Sequence, residues 1–319
     1  MDRTEENDRL LGMPALDIDT DGAFERFVAT AAKQRVRPSR GMRLVAPPVK
    51  WLAAAATVAI VATTLSITGV ADSILQIFEV KQFAAITVTP TDLQTLEQLS
   101  AFGTLTWSDK PTPHQVASLA AATAESGLPA VSVTVPASVT ATARYGVLAR
   151  TTATFKFDAS KARASAVAVG RTAPPMPAKL DGSSLVVTAG PAISITYGEP
   201  DKSGSGNALV VVVAKALTVA SDGASVSELQ AYLLSQPGIS PALAAQIRAI
   251  GDPTSTLPVP IPVAQATSKT VSVHGTSGLF IGDSTGLGSG VIWQQNGLVY
   301  LVGGTLTESQ TLTVANSLR

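Results

Sequence analysis

The sequence predicts an α+β protein, with a single transmembrane helix followed by an exported domain of mostly antiparallel sheet with packed helices. Three observations predict it. Residues 51–71 run for 21 residues without a charge, and a helix of that length spans roughly 31 Å, the hydrocarbon thickness of a bilayer. Downstream, short β-branched runs alternate with polar turns, the pattern of antiparallel strands. Between those runs lie capped segments of helical period.

The flanks of the uncharged run orient it. Residues 26–50 carry Arg26, Lys33, Arg35, Arg37, Arg40, Arg43 and Lys50 and no acid, whereas the far side opens with Asp72. Basic residues beside a span stay cytoplasmic, so the expected location is the cell membrane, single-pass, with 1–50 inside and the C-terminal domain extracytoplasmic. A cleaved signal peptide fits less well, because the run starts late and Gly69 and Ala71 make a weak cleavage pattern. A buried core helix fits less well again, given the seven bases before it.

Within the arm, residues 1–25 hold eight acids. The stretch from Asp21 to Arg37 then reads as one amphipathic helix, with Asp21 as N-cap and Phe24, Phe27 and Val28 on one face. Pro38, Pro47 and Pro48 break the chain before the span.

After the span, SILQIFEVKQF (73–83) keeps helical spacing at Ile74, Ile77, Phe78 and Lys81, which extends the transmembrane helix to about residue 83. AAITVT (84–89) predicts a strand, and a short helix follows Pro90. TPHQVASLAAATAESG predicts a helix capped by Thr112, with Pro113 at its first position and Gly127 past its end. VSVTV (131–135) and TTATFKF (151–157) predict strands, and Asp158 caps a helix ending near Gly170. Two strands flank Gly190 and Pro191. ALVVVVAKAL (208–217) reads as a central buried strand.

The segment from Ser225 predicts a helix, a Pro-Gly corner and a second helix. Pro258, Pro260 and Pro262 cannot donate to a ladder, which confines 256–263 to an extended edge. GVIWQQNGLVYLV is the clearest hairpin, with Asn296-Gly297 at the tight turn. A last helix closes the chain. The length prior allows two subdomains, 84–200 and 201–319.

Composition narrows the chemistry. The 319 residues balance 23 bases against 23 acids, so no basic surplus argues for nucleic acid. No cysteine is present, which removes thiol catalysis, zinc fingers and iron–sulfur clusters. Asp17-Ile-Asp19-Thr-Asp21-Gly22 matches the first half of a calcium loop, but Val28 stands where a bidentate Glu is required. The only histidines, His114 and His274, are read as early in a helix and at the end of a strand. No nucleophile elbow or Ser-x-x-Lys pattern accompanies them, and Ser289 in GLGSG is out of register. The glycine-rich stretches lack the ending of a phosphate loop. Trp107, Trp293 and Tyr300 are candidates for an outer-domain groove, although aromatic residues in strands usually serve the core. No catalytic, metal or cofactor site is expected.

The segments LLSQPGISPALAAQIRAIGDPTSTLPVPIP, VIWQQNGLVYLVGGTLT and VANSLR resemble an uncharacterised extracytoplasmic domain family of single-span actinobacterial-type membrane proteins, some labelled anti-sigma-factor-like. The resemblance implies a signalling protein of the cell envelope whose cytoplasmic arm meets a regulatory partner such as a sigma factor. It carries no catalytic residues. The zinc-binding histidines and cysteines of many such arms are missing from residues 1–50. Partner binding would therefore rest on Phe24, Arg26, Phe27, Val28, Arg35 and Arg37, with Lys33. The expectation is a non-enzymatic sensor or regulator; the alternative is a carrier module for an envelope lipid or glycan.

Overall fold

In a computed structural model, the described residues are 76–319, apart from 169, 199–206, 238, 251–254, 263–265, 285 and 287. The arm, the uncharged run at 51–71 and the calcium-loop match at 17–22 lie outside them. Among the described residues no helix is long and apolar enough to cross a membrane.

The architecture is mostly antiparallel sheet with helices packed on it. Among the described residues fifteen strands form sheets of eight, five and two. The five-stranded sheet takes β1 (Gln76–Glu79), β3 (Gly103–Trp107), β6 (Thr151–Phe157), β7 (Ser184–Ala189) and β10 (Thr218–Asp222), in the order β1-β10-β7-β6-β3. The eight-stranded sheet takes β4 (His114–Val116), β5 (Ala143–Leu148), β8 (Ala192–Tyr197), β9 (Leu209–Lys215), β12 (Ala266–Val273), β13 (Thr276–Asp283), β14 (Ser289–Gln295) and β15 (Leu298–Gly304). Its order is β12-β13-β14-β15-β9-β8-β5-β4. The remaining pair, β2 (Gln82–Val88) and β11 (Thr256–Pro262), is parallel. Among the described residues β11 has one ladder partner, in keeping with its three prolines.

The two large sheets share their strands. Leu148 faces Ala192 in one sheet and Thr151 faces Ala189 in the other, so β5 and β6 continue one antiparallel register against β8 and β7. Ala192 with Ala214, and Thr188 with Thr218, do the same for β9 and β10. Three long strands therefore run through both sheets and bend at 149–150, 190–191 and 216–217. The Gly190–Pro191 peptide is cis and Gly190 has φ +73° at this bend. The Lys215 amide still donates to the Pro191 carbonyl across it (3.0 Å).

Each half of the bent strands buries its odd-numbered side chains. Phe155, Phe157, Leu185, Val187 and Val219 enter one core, and Val147, Ile193, Ile195, Val211 and Val213 the other. Alternation with period two puts one set of side chains on one face, so both cores lie on the same face of these strands. Over the first core pack α1 (Pro90–Leu99), α3 (Ala159–Ala168), α4 (Val226–Leu234) and α5 (Pro241–Arg248). Leu229, Leu233, Leu243 and Ile247 from α4 and α5 are at most 2% exposed. The second core is covered by α2 (Leu119–Ser126) and α6 (Glu308–Ser317), through Ala122, Val314 and Ala315. Both cores draw on residues from either side of position 200.

Several local expectations need correcting. From residue 76 to residue 83 the chain is not helix: β1 covers Gln76–Glu79, and β2 starts at Gln82 and runs on through the strand expected from residue 84. Ile77, Phe78, Val80, Phe83 and Ile86 are β-formers whose spacing fits either element, and the free edge of β10 decides it. His114 lies in edge strand β4, not in a helix; α2 starts later, because the Ser118 hydroxyl accepts from the Ala121 amide (3.1 Å) and so provides the cap. Gly127 ends α2 as expected, with φ +67°. Residues 131–135 form no strand: the Ser132 amide donates to the Arg319 carbonyl, while Val131, Val133 and Val135 pack on the second core. The Asn296-Gly297 hairpin is present, with φ of +53° and +74° at its two turn residues, the signs that its tight turn demands.

Candidate functional site

The aromatic residues of the candidate groove separate. Trp293 and Tyr300 are cross-strand neighbours on β14 and β15, and their rings stack at 5.2 Å and 13°. Trp293 is 1% exposed and belongs to the second core. Its indole nitrogen is buried without a hydrogen-bond partner. Burial pushes the Tyr300 hydroxyl above its usual range. Trp107, by contrast, is half-buried at the end of edge strand β3 in the five-stranded sheet. The structure brings together Trp293 and Tyr300 and leaves Trp107 elsewhere.

Each histidine has a local partner. His114 Nε2 lies 2.9 Å from Glu125 Oε1, tying edge strand β4 to α2. His274 occupies the β12–β13 turn with φ +50°. Its Nε2 is 3.1 Å from the Ala315 carbonyl, and its amide donates to Asn316 Oδ1 (3.0 Å), which closes the C-terminus of α6. The Ser289 hydroxyl donates to the Leu306 carbonyl and pairs with Thr311 Oγ1. These contacts join secondary elements and give no nucleophile–base pair. Among the described residues no group of three or more His, Asp or Glu is placed to hold a metal.

The carboxylates that stand out electrostatically all cap helices. Burial raises the Asp92 pKa, but hydrogen bonds from Thr89 and Ser240 outweigh it and hold the group below the usual range. Asp158 is held low chiefly by the Lys161 amide, with further help from Ser160 and the nearby Lys161 and Arg163 charges. Glu228 is held low by the Ser225 amide and hydroxyl, and by Lys179. A capping carboxylate accepts orphan helix N–H groups and needs its charge for that. None of the three is set up as a general acid.

Two depressions among the described residues are open to solvent. One, of about 750 Å³, follows the outer side of α6 at Glu308, Leu312, Thr313 and Asn316. The other, of about 430 Å³, lies between β2 and α5, at Gln82, Phe83, Ala85, Gln246, Ile250 and Thr256. Glu308 is already paired with Lys269 (2.8 Å). The partner-binding candidates Phe24, Arg26, Phe27, Val28, Arg35 and Arg37 lie outside the described residues.

One surface went unnoticed in the sequence. Leu105 on β3 (41% exposed) and Val167 on α3 (73% exposed) are the large apolar side chains that stand exposed among the described residues. Lys161 of α3 reaches between their elements, its Nζ 2.7 Å from Thr104 Oγ1. A signal was available: from Ala159 to Arg171 the chain carries Lys161, Arg163 and Arg171 and no acid. No family model matches the chain, and no curated protein or solved structure matches it either.

Proposed function

We propose that this protein is a non-enzymatic, membrane-anchored envelope protein. Its extracytoplasmic α+β domain senses or binds, and its cytoplasmic arm contacts a regulatory protein such as a sigma factor. The observation that carries this reading is the asymmetric run at 51–71: 21 uncharged residues, seven bases before them without an acid, and Asp72 after them. A helix of that sequence spans a bilayer with the arm inside. The helix-capping and structural roles of the titratable groups described above support the non-enzymatic half.

Two measurements test the halves. With tags at both ends, the chain should resist alkaline carbonate extraction, and protease added outside spheroplasts should remove only the C-terminal tag. Extraction into the soluble fraction, or digestion of the N-terminal tag, refutes the topology. Residues 1–50 used as bait should retain a transcription factor, and a bait with Phe24→Asp and Phe27→Asp should not. Equal recovery by both baits, or none, refutes the regulatory arm.

A further inference from the structure

We infer that edge strand β3 pairs antiparallel with β3 of a second copy of this chain, about a two-fold axis that passes between the two Thr106 residues. The pairing is independent of how the chain is anchored.

The backbone leaves this edge open. The Asp158 amide donates to the Phe102 carbonyl (2.9 Å) and the Ser108 amide to the Thr152 carbonyl (2.9 Å). Successive residues of an antiparallel strand aim their N–H and C=O groups to alternate sides. Thr104 and Thr106 therefore point at β6, while Gly103, Leu105 and Trp107 point away from it. β3 ends the order β1-β10-β7-β6-β3, with no strand on its other side among the described residues. Lys161 Nζ lies 3.4 Å from the Gly103 carbonyl and so holds one end of the outward row. Leu105 and Trp107 remain open to a partner, and an open edge is a template for another strand. The edge strand β12 is longer, but it carries Lys269 at its middle and no exposed large apolar side chain.

The side chains select a second copy as the occupant. Exposed Leu105 and half-buried Trp107 lie two residues apart, hence on one face, and Thr104 and Thr106 are exposed on the other. About an axis at Thr106, Leu105 faces Trp107 of the second copy, and Trp107 faces its Leu105. Both pairs join open backbone groups, and each exchanges two hydrogen bonds. Each also sets an aromatic ring against an aliphatic side chain, a favourable cross-strand pair. Gly103 then faces Asp109 of the second copy. Lys161, which also donates to Thr104 Oγ1 (2.7 Å), therefore meets an acid. An axis at Leu105 would instead pair Trp107 with Gly103, whose carbonyl Lys161 already holds, and would lose the match with Asp109. A ladder this short is smaller than the roughly 800 Å² per partner of a stable interface, so the pairing is weak and depends on concentration.

The chain has no cysteine, so a single introduced thiol reports the register. The full-length protein is kept in mild detergent with micelles in excess and oxidised by dissolved oxygen at rising protein concentration. Circular dichroism confirms that each variant is folded. Residues opposed at a non-hydrogen-bonded position have Cα atoms about 4.5 Å apart, within the range of a disulfide. Thr106→Cys should therefore give a disulfide-linked dimer on a non-reducing gel. Thr104→Cys should not, because its two copies lie about 13 Å out of step along the strands. Adding Leu105→Lys to Thr106→Cys should lower the dimer yield about tenfold, since both Leu–Trp pairs are lost. A protein that stays monomeric with Thr106→Cys overturns the pairing. Equal yields from the two cysteines overturn it as well, because random collision then accounts for the dimer. A yield unchanged by Leu105→Lys overturns the contact of Leu105 with Trp107 on which the axis depends.

Discussion

Asp92→Asn should destabilise the domain by about 3 kcal/mol at neutral pH. Asp92 is 2% exposed on the first turn of α1. Its carboxylate accepts from the Thr89 amide (3.0 Å), the Thr89 hydroxyl (2.6 Å) and the Ser240 amide (3.4 Å). Ser240 caps α5, so a single buried charge serves the N-termini of two helices. A hydrogen bond to an ionised acceptor contributes about 1.5–3 kcal/mol and a neutral one about 1. Replacing the two short bonds by neutral ones removes about 2 kcal/mol, and turning an NH₂ toward the buried Thr89 donors adds about 1. The sign with pH follows from the depressed folded pKa. The stabilisation is complete above the unfolded value near 3.9 and is lost as pH falls through the lower folded value. Urea unfolding of the purified wild type and variant, followed by circular dichroism between pH 3 and 7, should show a gap that is constant above pH 5 and narrows below about pH 4. A gap under about 0.5 kcal/mol at pH 7, or one that widens in acid, would refute the reasoning.

The other predictions concern packing and backbone. Leu243→Ala, at a fully buried position of α5, should cost about 3 kcal/mol in the same urea experiment. Gly304→Ala should cost more than about 2 kcal/mol, because the new Cβ collides with the Ala208 carbonyl, which already accepts from the Thr305 amide. Gly297→Ala should cost about 1 kcal/mol through its left-handed φ, whereas Asn296→Gly should be close to neutral; thermal melts of the pair separate the two. Lys269→Ala breaks a half-exposed pair with Glu308 and a contact over Phe280 (5.6 Å), and the melting temperature should fall by no more than the equivalent of about 1 kcal/mol.

How far the fold could be read from sequence depended on how local each signal was. The Asn-Gly hairpin, the helix pair after Ser225 and the proline-rich edge were legible because turn chemistry, capping and missing donors act within a few residues. The bends at 149–150, 190–191 and 216–217 were not, because TTATFKF and ARYGVL look the same whether they lie in one sheet or two. The strand at 76–79 was missed for a related reason: only a partner far along the chain, β10, distinguishes it from a continuing helix. At the site level, Trp293 was legible as an aromatic strand residue, yet its separation from Trp107 is set by strand order.

The three strands that pass through both sheets leave the domain without a cleavage plane. Tyr197 and Leu209 are paired across β8 and β9, so a cut at 199–206 would sever a hairpin rather than release a subdomain. The two cores are consequently expected to melt as one cooperative unit, and backbone amides on either side of the bends to exchange at the same global rate. A change that loosens the core under α3 should be felt equally in the core around Trp293. Stability is thus a shared property of both ends, and whatever holds one end in place raises the unfolding free energy of the other.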